Sequence, residues 1–386
     1  MLASPQQLFI FYHRKPFMKK LLLALCATCA FGAPAMAQED KGIDLGVTGY
    51  FKGYGVYVDQ DEAVGSEARS VDIIRDMELH FVGSMTLDNG LTVGADVGAA
   101  ADQGDSFDIQ DSFVYFSGGF GRVNMGATDG AAYLLQVVAP SADANYDGMD
   151  QYYSPFNYSV TGVTRLTQLE FDYDQDVSSP NDKLTYITPV FGGFQAGVSY
   201  TPEARTASRS TNGVDTTGGE DAFEDIWDVA ARFEQETGFG SYHIGAGYTF
   251  ASNEDGLSVA STDPADDRQA YNAAIDFDIG NFGVGAVYTF DDRGSINNAD
   301  SDQTQYIVGA DYTMGATTFA VSYLNQNNEF GTNEIDTDRY TAGATYNVGP
   351  GIDLRGVVTY IDHSVDAGLG NDVSGTGVML GTSITF

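Results

Sequence analysis

From Ile43 to Phe386 the chain repeats one pattern, in which apolar and polar residues alternate with period two in runs of about ten and Gly-rich turns separate the runs. Ile43, Leu45, Val47, Gly49 and Phe51 share one face, while Asp44, Thr48, Tyr50 and Lys52 share the other. Tyr242, Ile244, Ala246, Tyr248 and Phe250 likewise oppose His243, Gly245, Gly247 and Thr249, and Tyr340, Ala342, Ala344 and Tyr346 oppose Arg339, Thr341 and Thr345. The last run, Thr376, Val378, Leu380, Thr382, Ile384 and Phe386 against Gly377, Met379, Gly381, Ser383 and Thr385, is long enough to cross a tilted bilayer path. Past residue 37 there is no apolar run of roughly 18 residues, so no membrane helix is available. A membrane protein built this way has to close its sheet, because lipid offers no partner to an open edge.

The connections between runs alternate in length. Short ones fall near Asp88-Asn89-Gly90, Gly118-Gly119, Gly192-Gly193, Thr237-Gly238, Gly280-Asn281, Gly315-Ala316 and Gly349-Pro350-Gly351. Longer polar ones fall near 59–70, 102–107, 127–181, 203–222, 251–266, 291–301, 325–337 and 363–374. Seven short and eight long connections imply about 16 strands, an even count with both ends of the sheet on the short-turn side. The 23 Tyr and 24 Phe gather at the ends of the runs, where aromatic girdles meet lipid headgroups. A soluble solenoid or a string of sandwiches would show a fixed repeat or an apolar interior, and neither pattern is present. The expected fold class is therefore all-β, a transmembrane antiparallel β-barrel of about 16 strands.

Composition sharpens this. Met18-Lys19-Lys20, the apolar Leu21 to Ala30 and Ala35-Met36-Ala37 read as a signal peptide over 18–37, with 1–17 as upstream over-translation and 38–386 as one barrel domain. Both cysteines, Cys26 and Cys29, fall in the leader, which leaves the rest without thiols. Without residues 1–37 the formal charge is 14 − 54 = −40. That balance excludes a nucleic-acid partner and suits divalent ions or a lumen that attracts cations.

Residues 127–181 lack sustained alternation, and a connection of that length inside a compact fold is functional. Around it the chain acquires a family likeness. Phe116-Ser117-Gly118-Gly119-Phe120-Gly121-Arg122-Val123-Asn124-Met125-Gly126 resembles the entry to the fifth strand of general diffusion porins. Leu184-Thr185-Tyr186-Ile187-Thr188-Pro189-Val190-Phe191-Gly192-Gly193-Phe194, closed by Val198-Ser199-Tyr200, is similar to the porin pattern of Tyr, Pro, Phe, Gly, Phe and a final Tyr. Phe386 resembles the C-terminal assembly signature of bacterial outer-membrane barrels. The resemblance, to Gram-negative trimeric porins of α-proteobacterial type, implies a 16-stranded barrel, a homotrimer and a third loop folded into the lumen as a constriction. It also implies an outer-membrane setting with lipopolysaccharide as a neighbour, and small hydrophilic solutes and ions as cargo.

A diffusion pore needs no catalyst; its selectivity comes from bore and from the charges at its narrowest point. The long loop carries Asp129, Asp143, Asp147 and Asp150 with a single cation, Arg165, and these form the expected acidic side of the constriction. Parity turns Lys52, Glu78, His80 and Arg122 inward as pore wall. The second strand presents Asp76, Glu78 and His80 where a porin commonly presents arginine, so the basic wall is thin and cation preference is expected.

No cofactor is required on this reading. Asp172, Asp174 and Asp176 open like a calcium-binding loop but lack its glycine and closing glutamate, leaving Ca2+ or Mg2+ among acidic loops as the only metal expectation. His80, His243 and His363 show no paired-ligand spacing, which gives zinc catalysis no support. Gly104-Asp105-Ser106-Phe107 reads as a polar turn rather than a nucleophile motif, and no enzyme is expected. The competing readings are a sugar-specific channel with Tyr152, Tyr153, Phe156 and Tyr158 as an aromatic ladder, a barrel enzyme, and a secreted calcium-binding surface protein. Trp227 sits at lipid-facing parity, and the Gly-x-Gly pieces read as places where the barrel bends or subunits approach closely.

Overall fold

The computed structural model describes residues 42–101, 107–178, 180–204, 223–253, 266–294 and 301–386. The leader read at 1–37 and most of the connections read at 102–107, 203–222, 251–266 and 291–301 lie outside the described residues, as does most of Gly104-Asp105-Ser106-Phe107. Sixteen strands are described. They are β1 (Asp44–Gln60), β2 (Val71–Thr86), β3 (Thr92–Ala100), β4 (Asp108–Gly118), β5 (Gly121–Ala127), β6 (Asp182–Ile187), β7 (Phe194–Glu203) and β8 (Phe223–Glu236), followed by β9 (Gly240–Asn253), β10 (Arg268–Ile279), β11 (Phe282–Asp291), β12 (Gln303–Met314), β13 (Thr317–Phe330), β14 (Asn333–Gly349), β15 (Ile352–Val365) and β16 (Val373–Thr385).

Each strand pairs antiparallel with its sequence neighbours, and β16 pairs with β1 to close a barrel. The seam runs from Tyr50 opposite Thr385 to Gln60 opposite Gly375. At its lower end Gly49 and Phe386 exchange backbone hydrogen bonds of 2.8 and 3.0 Å, so the final residue completes the ladder. Closure removes both sheet edges, the condition that lipid imposes.

The exterior matches a bilayer. On β9, β12 and β14 outward tyrosines stand six residues apart (Tyr242 and Tyr248, Tyr306 and Tyr312, Tyr340 and Tyr346), about 20 Å along a strand. Between them the outward positions are small or apolar, such as Ile244, Val308 and Ala342. The upper belt is nearly continuous, with Tyr306, Tyr323, Tyr340 and Tyr360 in ring contact at 5.0 to 6.5 Å. The lower belt includes Phe282 on Tyr312 at 4.7 Å. Trp227 faces outward against Tyr200 at 4.8 Å, as its parity requires.

All seven short connections fall where the sequence places them; Gly280 and Gly315 adopt φ of 61° and 63°, which their tight turns need and side chains resist. One long connection is corrected. Residues 325–337 are mostly strand, because β13 runs to Phe330 and β14 starts at Asn333, leaving a two-residue turn at Gly331 with φ 69°. Above the upper belt both faces of the hairpin are polar apart from inward Ile335, so the ladder continues without the apolar alternation that marks a membrane strand. Outward Asn325 there donates to Asp336 at 2.9 Å and Asp338 at 3.1 Å across the pair.

Candidate pore constriction

A closed 16-strand barrel leaves a lumen too wide for side chains to fill. Residues 128–181, between β5 and β6, enter it. The loop starts with a short helix, α1 (Ala131–Leu134), and later makes two 3-10 turns, Tyr158–Val160 and Thr164–Gln168. Lys183 clasps its neck, with Nζ donating to the carbonyls of Thr128 and Ser178 at 2.5 and 3.2 Å.

The wall is shaped to receive this loop. Its inward positions on β7, β9, β11, β12, β14 and β16 include Gly197, Gly245, Gly285, Gly309, Gly343 and Gly377, and the loop passes over each. A Cβ on Gly245 would lie 2.8 Å from Val137, one on Gly377 2.7 Å from Pro155, and one on Gly309 1.8 Å from the carbonyl oxygen of Pro140. These glycines are seats for the loop, which corrects the reading of the Gly-x-Gly pieces at Gly245, Gly285 and Gly377 as bends or subunit contacts. Between the glycines parts of the wall are apolar. Val137, Met149 and Tyr173 pack on Val287, Ile307 and Leu324, and Leu166 and Phe171 pack on Ile335 and Val365.

Polar ties fix the register. Ala131 N donates to Ser199 Oγ at 2.7 Å, and Gln175 Nε2 donates to Thr249 Oγ1 at 2.8 Å and Ala270 O at 3.0 Å. Arg339, fully buried, donates to Phe171 O at 2.8 Å and lies over the Tyr146 ring. Asp143 accepts from Arg355 at 2.6 Å and from Tyr54 Oη at 2.7 Å. Asp147 accepts from the backbone nitrogens of Ala142 and Asp143 at 3.0 and 2.8 Å, and from Ser322 Oγ. Burial pushes the Asp147 carboxyl above its ordinary range, against the opposing pull of Ser322 and Arg339.

The four loop aspartates grouped by the sequence therefore separate. Asp143 and Asp147 face the wall at β13–β15 and hold the loop down. Asp129 and Asp150 face the other way, toward a cavity of about 140 Å3 that they share with Asp174 and Asp176 and with Asp108 at the start of β4. Tyr133 Oη donates to Asp150 at 2.7 Å. Burial raises the Asp150, Asp174 and Asp176 carboxyls, and burial with Glu170 and Asp150 nearby raises Asp172 to about 7. Arg165 does not join this group; exposed in the second 3-10 turn, it donates to Gln168 at 3.0 Å and stacks on Phe330.

Across from that loop edge stands the wall of β2–β4. Asp76, Glu78, His80, Asp96 and Asp111 all turn inward and are buried, while Arg75 faces out. His80 sits between Glu78 at 2.7 Å (Nε2) and Asp96 at 3.0 Å (Nδ1), in space left by Gly98. Lys52 is inward too, its ammonium between the rings of Tyr152 and Tyr50 at 2.8 and 3.9 Å, and Arg122 donates to Asn124 at 2.7 Å while stacking on Tyr115. The rings expected as a ladder are taken up in packing. Tyr153 lies on Tyr54 at 5.2 Å, Phe156 covers Gly375, and Tyr158 lies against His363 at 5.2 Å.

One consequence can be measured directly. Asp143→Asn leaves the partly buried Arg355 guanidinium without its main counter-charge, a change that costs about 3 kcal/mol. The temperature at which the folded barrel loses its compact electrophoretic form is expected to fall clearly, and an unchanged transition would show that Asp143 does not anchor the loop.

A family model described as Gram-negative porin matches residues 23–366. Uncharacterized proteins of Rickettsia conorii and Rickettsia felis are 23% and 22% identical to the chain, over 84% of it and 87% of each relative. Among solved structures, an anion-selective porin from Comamonas acidovorans superposes with TM-score 0.58 at 18% identity, covering 89% of this chain and all (100%) of that one. A triple mutant of the Rhodopseudomonas blastica porin superposes with TM-score 0.55, also at 18% identity and with coverage of 89% and 100%.

Proposed function

The chain belongs to the Gram-negative porin family and is an integral β-barrel of the bacterial outer membrane, and from that premise we propose a water-filled, cation-preferring channel for passive diffusion of small hydrophilic solutes and ions. Family and fold point to a channel rather than an enzyme. The observation that carries the cation preference is that carboxylates stand on both sides of the passage. Asp76, Glu78, Asp96 and Asp111 line the wall, and Asp129, Asp150, Asp174 and Asp176 line the loop edge. The basic side chains that reach the lumen are mostly engaged elsewhere. Arg339, Arg355 and Lys183 tie the loop down, and Lys52 is sandwiched by tyrosines. The fold itself carries no sign of selectivity, since the Comamonas porin of the same architecture is anion-selective.

The sign is tested by the zero-current potential of the reconstituted channel across a salt gradient. A potential of the polarity set by cation permeation is expected, and the opposite polarity would overturn the reading. The same recordings test the homotrimer that goes with this family reading. Closure in three equal steps supports it, and single-step closure counts against it.

A further inference from the structure

Below the constriction loop, the lumen wall carries a cluster of side chains that passive diffusion does not use. His243 on β9 lies directly opposite Asp276 on β10, and Asp278 follows two positions on, opposite Ser241. Strand parity turns all of them inward. One ring nitrogen of His243 and one oxygen from each aspartate lie within 4.8 Å of one another, with His243 Nδ1 and Asp276 Oδ2 already at 3.2 Å.

The surroundings orient these groups. Ser241 Oγ donates to Asp278 Oδ2 at 3.3 Å, a tie of the kind that holds a ligating carboxylate in place. Gly285 faces Asp276 from β11, where a Cβ would meet Asp276 Oδ1 and Pro140 at 2.8 Å each, so the missing side chain makes room beside the loop. From the other side, Glu234 on β8 stands opposite His243. The nearby cation, Arg232, is engaged by Glu234 at 3.3 Å and by Gln195 at 3.2 Å.

We infer that His243, Asp276 and Asp278 form a binding site for a divalent transition-metal ion, with Zn2+ as the representative, on the lumen wall beneath the constriction loop. The donor set selects the ion class. One imidazole nitrogen with two carboxylate oxygens suits zinc and its neighbours, whereas Ca2+ and Mg2+ favour all-oxygen shells. Bonds of about 2.0–2.2 Å require the three donors to close in by only ~1 Å, within side-chain adjustment. Three protein ligands leave a coordination position to water, which makes the ion exchangeable. Two carboxylates balance its charge, so the bound ion neutralises both of them on the lumen wall.

The test is Zn2+ binding to the purified full-length protein in detergent, by titration calorimetry. One Zn2+ per chain is expected, with affinity reduced roughly tenfold or more in both His243→Gln and Asp276→Asn. The loop-edge variant Asp174→Asn is expected to bind as the parent does, and excess Ca2+ should not displace the ion. Each variant's compact electrophoretic form reports folding separately. Absence of binding, binding unaltered by His243→Gln, or displacement by Ca2+ at similar concentration would overturn the site. Because binding is read without current flow, its failure leaves the channel reading untouched.

Discussion

Gly309→Val is expected to lift the constriction loop from the wall and to raise single-channel conductance by about twofold or more, with weaker cation preference. The side chain has no space to enter. A Cβ at this position would stand 1.8 Å from the Pro140 carbonyl oxygen and 2.8 Å from its carbon, and both are backbone atoms that no rotamer change can move. Either the strand or the loop has to shift. Gly309 lies inside β12, paired with Gly285 of β11 and Ser322 of β13 in two continuous ladders. The loop at Pro140 itself has no such ladder; Ala139 N donates to Tyr173 Oη at 3.3 Å, Ala139 and Ala142 pack on their neighbours, and the stronger ties through Asp143 and Asp147 begin three residues further on. Overpacking typically costs 1–3 kcal/mol, roughly the scale of a few such ties and well below that of a closed ladder. The loop should therefore yield, and with it the carboxylate edge that faces β2–β4. Gly55→Ala is the control, because Gly55 faces outward and its nearest contact would be 3.9 Å away. A Gly309→Val channel with parental conductance and selectivity would show that the loop does not set the bore.

This seat illustrates what the sequence exposes and what it hides. Strand number, turn positions and the inward set of β2 were legible, because each follows from parity and local turn chemistry. The hairpin at Gly331 was not. Above the aromatic belt the outward face of β13 and β14 is polar and the inward face, covered by the loop, is polar except at Ile335, so the ladder through Asn325, Asp336 and Asp338 carries little apolar signal. Parity also placed Gly245 inward, but its partner Val137 lies more than a hundred residues away, as Pro140 does from Gly309, and nothing local distinguishes a loop seat from a bend. The same limit applies to the loop aspartates. Asp143 and Asp150 look alike in sequence, and their roles part only because Arg355 on β15 meets one and Asp174 the other. His243 and Asp276, 33 residues apart, become neighbours only through the β9–β10 register.

The second large effect is on pH. Cation preference is expected to fall, with the permeability ratio dropping roughly twofold or more, as pH is lowered from about 8 to about 5. Burial, with Glu170 and Asp150 beside it, holds the Asp172 carboxyl up to about 7, and Asp150, Asp174 and Asp176 are raised as well, each first by burial. An unpaired carboxylate titrates near 4 and would stay charged over most of that range. Asp172 instead takes up a proton as pH passes downward through about 7, and with Asp150, Asp174 and Asp176 also raised the loop loses charge that attracts cations. The stability effect has the matching sign. The folded value of Asp172 lies above its unfolded one, so between about 7 and about 4 the folded state holds a proton there that the unfolded chain has released. Lowering pH through that window therefore stabilises the fold, and raising it withdraws that stabilisation. Zero-current potentials measured from pH 8 to pH 5 should drift toward the non-selective value, while the compact electrophoretic form should survive to a higher temperature at pH 5 than at pH 8. Asp172→Asn should remove the part of the potential change centred near 7 and leave the parental fold. A potential flat from pH 8 to pH 5 would mean that the loop-edge carboxylates do not set the ion preference, leaving the buried acids of β2–β4 as its source.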